Sequence, residues 1–554
     1  MASGLRSLIV MEPAAVSFSS FAPKHRRRIL LVFPQYSHSF GTFEHAFPLV
    51  GSVRAFMPPQ GILLIASLLP RSWEVKFVDE NIRAVTPEEL DWADAVFISG
   101  MHIQRARIQD LNRRAQRAGR LTVLGGPSVS AAPEHYPDVD VLHCGEVGDG
   151  TLRLFEYLDE RTARPATQRV FRTAERLGMT DFPTPAYHLI DVRQYLLGSV
   201  QFSSGCPFLC EFCDIPALYG RRPRMKSPEQ VVREMDLLSA GGTDSIYFVD
   251  DNFIADPRAT ARLLPHLVEW QARHDYRIVL SCEATLNITR HPEVLALMRD
   301  AGFGTVFCGI ETPEPAALEA MNKRQNLRAP ILQAIDTLNR YGMEVASGII
   351  LGLDTDTPAT PQAIIDFAEA SQVPILTVNL LYALPHTPLY ARLERAGRIV
   401  PDEGRDSNID FLEPYEVVLG RWRHVVSRLY EPARLLARYA TQARRTYPNR
   451  RRPSHPWRQL TWRNLKRAGG ILGRTVWRLG VRGDYRAEFW KMLWTQTRNG
   501  DVAATFRVAF VSYHLITYAR ECLRGMVPSS NYSGRDVIAE DRAGLASLSG
   551  AGLE

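Results

Sequence analysis

Short hydrophobic runs rich in β-branched residues recur along the first two-thirds of the chain, each followed by a polar loop and an amphipathic stretch. Ile29–Phe33, Val75–Val78, Ala95–Ile98, Leu121–Leu124 and Asp140–His143 have strand character, and the intervening stretches, such as Arg107–Ala118, have helical spacing. This alternation predicts an α/β unit over residues 29–160 built on a doubly wound parallel sheet. Such sheets bind ligands beyond the carboxyl ends of their strands. There the chain places Asn81, Ser99, Gly100, Gly125, Gly126, Gly145 and Glu146. Glycines at successive strand ends allow a large, flat ligand to approach the backbone, although each glycine alone is equally a turn residue.

A linker over 161–195, marked by Pro165, Pro183 and Pro185, leads to a second strand–helix series over 196–404. Its predicted strands are Ser199–Phe202, Ser245–Val249, Arg277–Ser281, Thr305–Phe307, Glu344–Ile350 and Ile375–Asn379, with helices such as Pro228–Ala240, Pro257–Arg273 and Pro361–Ala370 between them. Six βα units are too few to close an eight-stranded barrel. From 405 to 526 strands fade, and helical patterns rich in Arg, Trp and Tyr take over, interrupted by Pro448, Pro453 and Pro456. Residues 1–28, which lack the apolar core of a signal peptide, and the Ser/Gly-rich residues 527–554 are predicted to be disordered. No uninterrupted apolar run reaches ~18 residues, so no membrane-spanning helix is expected.

Composition adds an asymmetry. The 554 residues, 45% hydrophobic and 23% charged, are those of an ordinary globular chain of several domains. The net charge of +6 conceals a window, 421–480, with 16 Lys and Arg against the single acid Glu431, a local charge of +15. The rest of the chain is therefore net acidic. Trp422, Trp457, Trp462, Trp477, Trp490 and Trp494 interleave with or follow these cations. Arg with Trp suits an anionic membrane surface. A solvated basic helix face and contact with RNA are the alternatives.

Of the seven cysteines, Cys144, Cys282, Cys308 and Cys522 are scattered singly, which is no disulfide framework. Cys206, Cys210 and Cys213 share one short loop. Three thiolates can hold three corners of a 4Fe-4S cube, leaving one iron open to bind and reduce a small molecule. Structural zinc would close with a fourth Cys or His at similar spacing, and none follows nearby. An oxygen-sensitive cluster demands a reducing compartment, so a cytoplasmic location is expected.

With Phe212 immediately before the third cysteine, this loop resembles the signature of the radical S-adenosylmethionine (SAM) enzymes. The resemblance implies an open (βα)6 partial barrel with SAM bound at its strand ends. The positions that match are Asp250 and Asp251, where the common family form is Gly-Gly-Glu, then Glu283, Glu311 and Gly352. Strand-end acids also cap helices or pair with Arg; Cys282 and Cys308 read as small buried residues. Tyr382 and His386, after the sixth strand, are candidates to face the barrel.

Cluster loop, barrel and upstream sheet together resemble the cobalamin-binding radical SAM enzymes over about residues 29–400. The Asp-x-His-x-x-Gly motif of many cobalamin domains is missing, so that loop supplies no His to cobalt. Ser39–His45, Phe56–Gly61, Ser99–Arg105, Val249–Ile254, Cys282–Asn287 and Ser347–Asp356, with the basic C-terminal segment, resemble the hopanoid C-2 methylase family. This implies methyl transfer to A-ring carbon 2 of a hopanoid, with cobalamin carrying the methyl group and an electron donor such as flavodoxin or ferredoxin. It also implies peripheral attachment to the inner face of the cytoplasmic membrane. No nucleic-acid partner is expected: RNA-acting methylthiotransferases carry further N-terminal cysteines, whereas here there is only Cys144. The alternatives are an oxidative cyclase or methyltransferase acting on a tetrapyrrole, or a cobalamin or redox sensor.

Overall fold

The computed structural model describes residues 18, 21–402, 404–455, 461–498, 502–530 and 532. Six parallel strands form the first sheet: β1 (Arg28–Phe33), β2 (Glu74–Asp79), β3 (Ala95–Ser99), β4 (Leu121–Gly125), β5 (Val141–Cys144) and β6 (Arg169–Arg172). Their order is β2-β1-β3-β4-β5-β6, so the winding reverses between β1 and β3, where a crevice opens beyond the strand ends. The central strands are apolar on both faces because helices cover both, leaving one core cluster on each side.

β6 corrects the linker read over 161–195. It pairs with β5 from Val141↔Arg169 to Cys144↔Arg172. Its sequence, Arg-Val-Phe-Arg, is too short for alternation to show, and only its position at the sheet edge makes it a strand. The N-terminal extension is also partly ordered. The amides of Lys24 and His25 donate to the Asp159 carboxylate at 2.8 and 2.9 Å, and Trp73 Nε1 donates to the His25 carbonyl. The rest of that expectation lies outside the described residues.

The second sheet runs β14-β13-β12-β11-β10-β7, all parallel. Its strands are β7 (Gly198–Val200), β10 (Ser245–Phe248), β11 (Val279–Glu283), β12 (Phe303–Phe307), β13 (Glu344–Leu351) and β14 (Ile375–Leu380); a two-stranded ribbon, β8 (Ser203–Ser204) with β9 (Arg224–Met225), flanks the cysteine loop. This is the open (βα)6 partial barrel. Helix starts follow their caps: Ser227 and Asp256 accept from first-turn amides of the helices Pro228–Gly241 and Pro257–Arg273, each with Pro at its first position.

An open barrel leaves β14 as an edge, and the helical C-terminal region covers it. Trp422, 1% exposed, donates from Nε1 to the Val378 carbonyl at 3.0 Å, and the Tyr430 hydroxyl donates to the Leu376 carbonyl. Trp422 is therefore a core residue and leaves the membrane-facing set, while Trp457 lies outside the described residues. Phe40, from the loop after β1, stacks on Tyr430 at 4.7 Å, so this loop, the barrel and the C-terminal helices share one core. The predicted disorder from 527 is corrected for its first residues. The Ser529 carbonyl accepts from the Leu380 amide at 3.0 Å, and the Ser529 amide and hydroxyl donate to Asp406. Positions 531 and 533–554 lie outside the described residues.

Candidate functional site

A cavity of about 790 Å³ lies between the carboxyl ends of the two sheets. From the first sheet it is lined by Tyr36, by Ser99 and Gly100 after β3, by Gly125 and Gly126 after β4, and by His143, Gly145 and Glu146 at the end of β5. From the barrel it is lined by Cys206, Cys210, Phe212 and Cys213 of the loop after β7, and by Asp250, Asp251, Glu283 and Glu311. The cysteine loop and the glycine-rich strand ends, remote in sequence, thus border one space.

The cysteine loop is fastened on every side. The Gly205 amide donates to Asp251 at 2.7 Å, the Cys206 amide to the Gly220 carbonyl at 3.2 Å, and Asn322 Nδ2 to the Leu209 carbonyl at 2.7 Å. Arg392 grips the Glu211 carboxylate. Gly205 has φ +95°, and a Cβ there would come within 2.9 Å of the Gly220 carbonyl, so this turn requires glycine. Among the described residues, the only trio of His, Cys, Asp or Glu donors within 4.8 Å of one another is His38, Glu44 and His45. Burial pushes the Cys206 and Cys213 thiols up, and neighbouring thiols and carboxylates add to this. Cluster loading must therefore displace protons.

The acidic residues divide by role. Asp250 accepts from the Phe202 and Ser203 amides, and Asp251 from that of Gly205. The pair therefore pins the entry to the cysteine loop as well as lining the cavity. Burial pushes Asp250 up to about 7 and Asp251 up to about 6. Glu283 opens onto the cavity deep inside the molecule; burial, then the nearby Asp251 charge, pushes it up to about 7. The folded protein thus keeps a proton on Glu283 where the unfolded chain has released it, and ionisation costs stability as pH rises. Glu283→Gln preserves an acceptor for the Tyr247 hydroxyl, 3.3 Å away. In cofactor-free protein, its melting temperature relative to wild type should climb from pH 4.5 to about 7 and level off above. A flat difference across that range would contradict the assignment.

Glu311 adopts φ +68°, a left-handed conformation that costs a non-glycine residue about 1–3 kcal/mol and persists only where its surroundings enforce it. Its carboxylate pairs with the buried Lys323. Burial works against the Lys323 charge, but Glu311 and then Cys210 outweigh it and hold the ammonium above its usual value. Lys323 Nζ sits 5.4 Å from the centroid of Phe212, and Gln325 Nε2 donates to Cys210 Sγ at 3.4 Å. Sequence reading missed Lys323 and Gln325, because an isolated Lys in a polar run is expected at the surface.

Several expected contacts are corrected. Asn81 does not line the cavity: its side chain accepts from the Tyr36 amide and donates to Asp79, holding the turn after β2. Gly352 is also absent from the lining; its amide donates to Asp356, and a Cβ there would strike Phe411 at 2.6 Å. Glu146 lines the cavity but is engaged by Arg176, Arg224 and Ser204, joining sheet to barrel. Tyr382 is buried with its hydroxyl on Asp402, and His386 is exposed. Cys282 and Cys308 are fully buried, as expected. His143 lines the cavity from β5, uncharged because burial lowers it to about 4, with Nε2 2.9 Å from the Thr151 hydroxyl.

Family models match two parts of the chain, the Radical SAM superfamily over residues 200–368 and a domain of unknown function, DUF4070, over 387–527. The hopanoid C-2 methylase of Rhodopseudomonas palustris (strain TIE-1) is 54% identical over 92% of this chain and 97% of its own length. This chain belongs to the hopanoid C-2 methylase family. It is a radical SAM methyltransferase. An uncharacterized methyltransferase of Synechocystis sp. (strain ATCC 27184 / PCC 6803 / Kazusa) is 35% identical, covering 84% of this chain and 86% of its own. The structure of the cobalamin-dependent SAM radical enzyme OxsB, with aqua-cobalamin and SAM bound, matches the fold with a TM-score of 0.54 at 14% identity, over 92% of this chain and 82% of its own. The shared fold and the single cavity between glycine-lined sheet and cysteine loop suit the family's three cofactors, a 4Fe-4S cluster, SAM and cobalamin.

Proposed function

We propose that this protein methylates A-ring carbon 2 of a hopanoid. The 54% identity to a hopanoid C-2 methylase along nearly the whole chain carries the reading. Support comes from the cavity, whose mostly apolar walls reach from the strand-end glycines to the three cysteines. An unactivated ring carbon offers neither an acidic proton nor an electrophilic centre, so side-chain acids and bases cannot perform the step. Cluster, SAM and cobalamin, when bound, supply a carbon-centred radical and a transferable methyl group.

The protein's own residues bind, align and exclude water. Cys206, Cys210 and Cys213 would hold the cluster. Asp251 and Glu283, open to the cavity beside them, receive the SAM ammonium, a charge that would draw the raised Glu283 carboxyl into its ionised form. Ser99, Gly100, Gly125, Gly126 and Gly145, which line the cavity, would bed cobalamin against the first sheet. Lys323, held by Glu311, sets a fixed positive charge behind the cysteine loop. Flavodoxin or ferredoxin delivers the electron. The enzyme works on the cytoplasmic face of a membrane, where its lipid resides; among the described residues, no helix is long and apolar enough to cross one.

Expression in a hopanoid producer that lacks this methylation tests the reading by lipid mass spectrometry. The expected product is a hopanoid heavier by one methyl group, with the added methyl at ring carbon 2. Unchanged hopanoids sink the substrate assignment, and an oxidised tetrapyrrole in their place would favour a cyclase.

A further inference from the structure

The basic C-terminal region divides into two parts with different surroundings. In the helices Tyr415–Leu429 and Pro432–Arg445 and the turn after them, most cations have internal partners. Arg421 pairs with Glu413, Arg434 with Glu369 and Arg451 with Asp300; Arg438 is buried against the Leu429 carbonyl, and Arg450 donates to the Gly342 and Gly304 carbonyls. This half is structural. The next half, the helix Trp462–Thr475, the π-helical turn Val476–Val481 and the helix Arg486–Arg498, is consumed only in part, by Arg467 on Asp244 and Arg474 on backbone carbonyls. Lys466, Arg478, Arg486 and Lys491 have no acidic partner among the described residues.

Apolar side chains stand out between these cations. Trp462 is 81% exposed and Trp494 68%, and Leu465, Leu472, Trp477 and Trp490 are also exposed. Trp462, Leu465, Gly469 and Leu472 recur at spacings of three and four, so they fall on one helix face with Lys466 flanking it. The Arg482 guanidinium lies 5.0 Å from the Trp477 ring centroid, and Trp490 Nε1 donates to the Gly480 carbonyl, gathering both indoles around the π-helical turn. Isolated exposed hydrophobics are unremarkable; a run of four Trp and two Leu with cations between them is not. Single-stranded RNA would use the rings for stacking, but the leucine stripe offers it nothing, whereas a bilayer accepts both.

The same element touches the segment that leads to the wall of the cavity. Arg474 donates from Nε to the Leu49 carbonyl at 2.9 Å and from a terminal nitrogen to that of Val50. The chain then runs directly into Phe56, Met57, Pro58 and Pro59, which line the cavity. We propose that the helix pair 462–475 and 486–498 is the face by which this protein docks on an anionic lipid bilayer, with the lipid substrate entering the cavity past the loop 49–59. The proposal rests on the lipid-substrate reading above and assigns it to particular residues.

Vesicle flotation of the full-length protein tests it, using phosphatidylcholine alone and phosphatidylcholine with phosphatidylglycerol. Wild type should float with the anionic vesicles and release as salt rises. Trp462→Ser with Leu472→Ser and Trp494→Ser should weaken flotation about 10-fold or more. Lys466→Glu with Arg478→Glu and Lys491→Glu should weaken it about 100-fold. All six side chains are exposed, so melting temperature and turnover of detergent-dispersed hopanoid should stay at wild-type values. The docking assignment is overturned if wild type fails to float at low salt or if the variants float like wild type. It is equally overturned if the variants also lose turnover in detergent, or if RNA captures the protein where vesicles do not. Absence of wild-type turnover in detergent would instead count against the substrate reading, leaving flotation to decide the docking face.

Discussion

Replacing Cys206, Cys210 or Cys213 singly with Ala should abolish hopanoid methylation, reducing 2-methyl product to the background of the host, and should strip cluster iron from the purified protein. Two thiolates cannot hold three corners of a cube, and the loop that presents them has no slack. It is tied at Gly205 to Asp251, at Cys206 to Gly220, at Leu209 to Asn322 and at Glu211 to Arg392. A neighbouring residue therefore cannot shift in to supply the missing ligand. Cys282→Ala and Cys308→Ala form the contrast. Both side chains are completely buried, and burial pushes both thiols up, Cys308 to about 12, which keeps them protonated and inert. Those variants should keep their iron and methylate. Iron retention by a Cys206 variant, with product still formed, would remove the basis for the cluster assignment.

The second large effect is expected at Lys323. Lys323→Met leaves the Glu311 carboxylate buried without its partner, in a residue already held at φ +68°. Breaking one side of a buried pair costs about 3–5 kcal/mol, a marked drop in melting temperature for the cofactor-free protein. Lys323→Met combined with Glu311→Gln removes both charges and should recover much of that loss. The cluster should register the change separately, because Lys323 stands 5.4 Å from the Phe212 ring beside the cysteines. Without its positive charge the reduced cluster is less favoured, so Lys323→Met should have a more negative reduction potential, a shift that the double variant, which also loses the Glu311 anion, should largely cancel. A double variant no more stable than Lys323→Met, with an unchanged potential in the single variant, would reduce Lys323 to a packing residue.

Legibility differed by residue for physical reasons. The cysteine loop stood out because its three cysteines lie within eight consecutive residues, a spacing that would suit cluster ligands. Strand-end Ser99, Gly100, Gly125, Gly126 and Gly145 were legible because a doubly wound sheet presents such positions to its ligand side. Asn81 and Gly352 share that strand-end position but serve their own turns, a distinction made by local hydrogen bonds and the proximity of Phe411. β6 was invisible because an edge strand of four residues carries no periodicity of its own.

The sequence by itself determined the βα order of the barrel and of the first sheet up to β5, the three cysteines on one loop and the crowding of charge into the C-terminal third, since each is a matter of local spacing and composition. Only the tertiary structure decided which of those features meet. Folding brings the first sheet's glycines and the barrel's cysteines to one cavity, buries Lys323 against Glu311, and seats Trp422 in the core under β14. It leaves Trp462 and Trp494 largely exposed, although all three indoles look alike in sequence. The reason is that burial is a property of what packs across a face: the open edge of a six-stranded barrel must be covered, and the helices that reach it give up their Trp and Arg to that task.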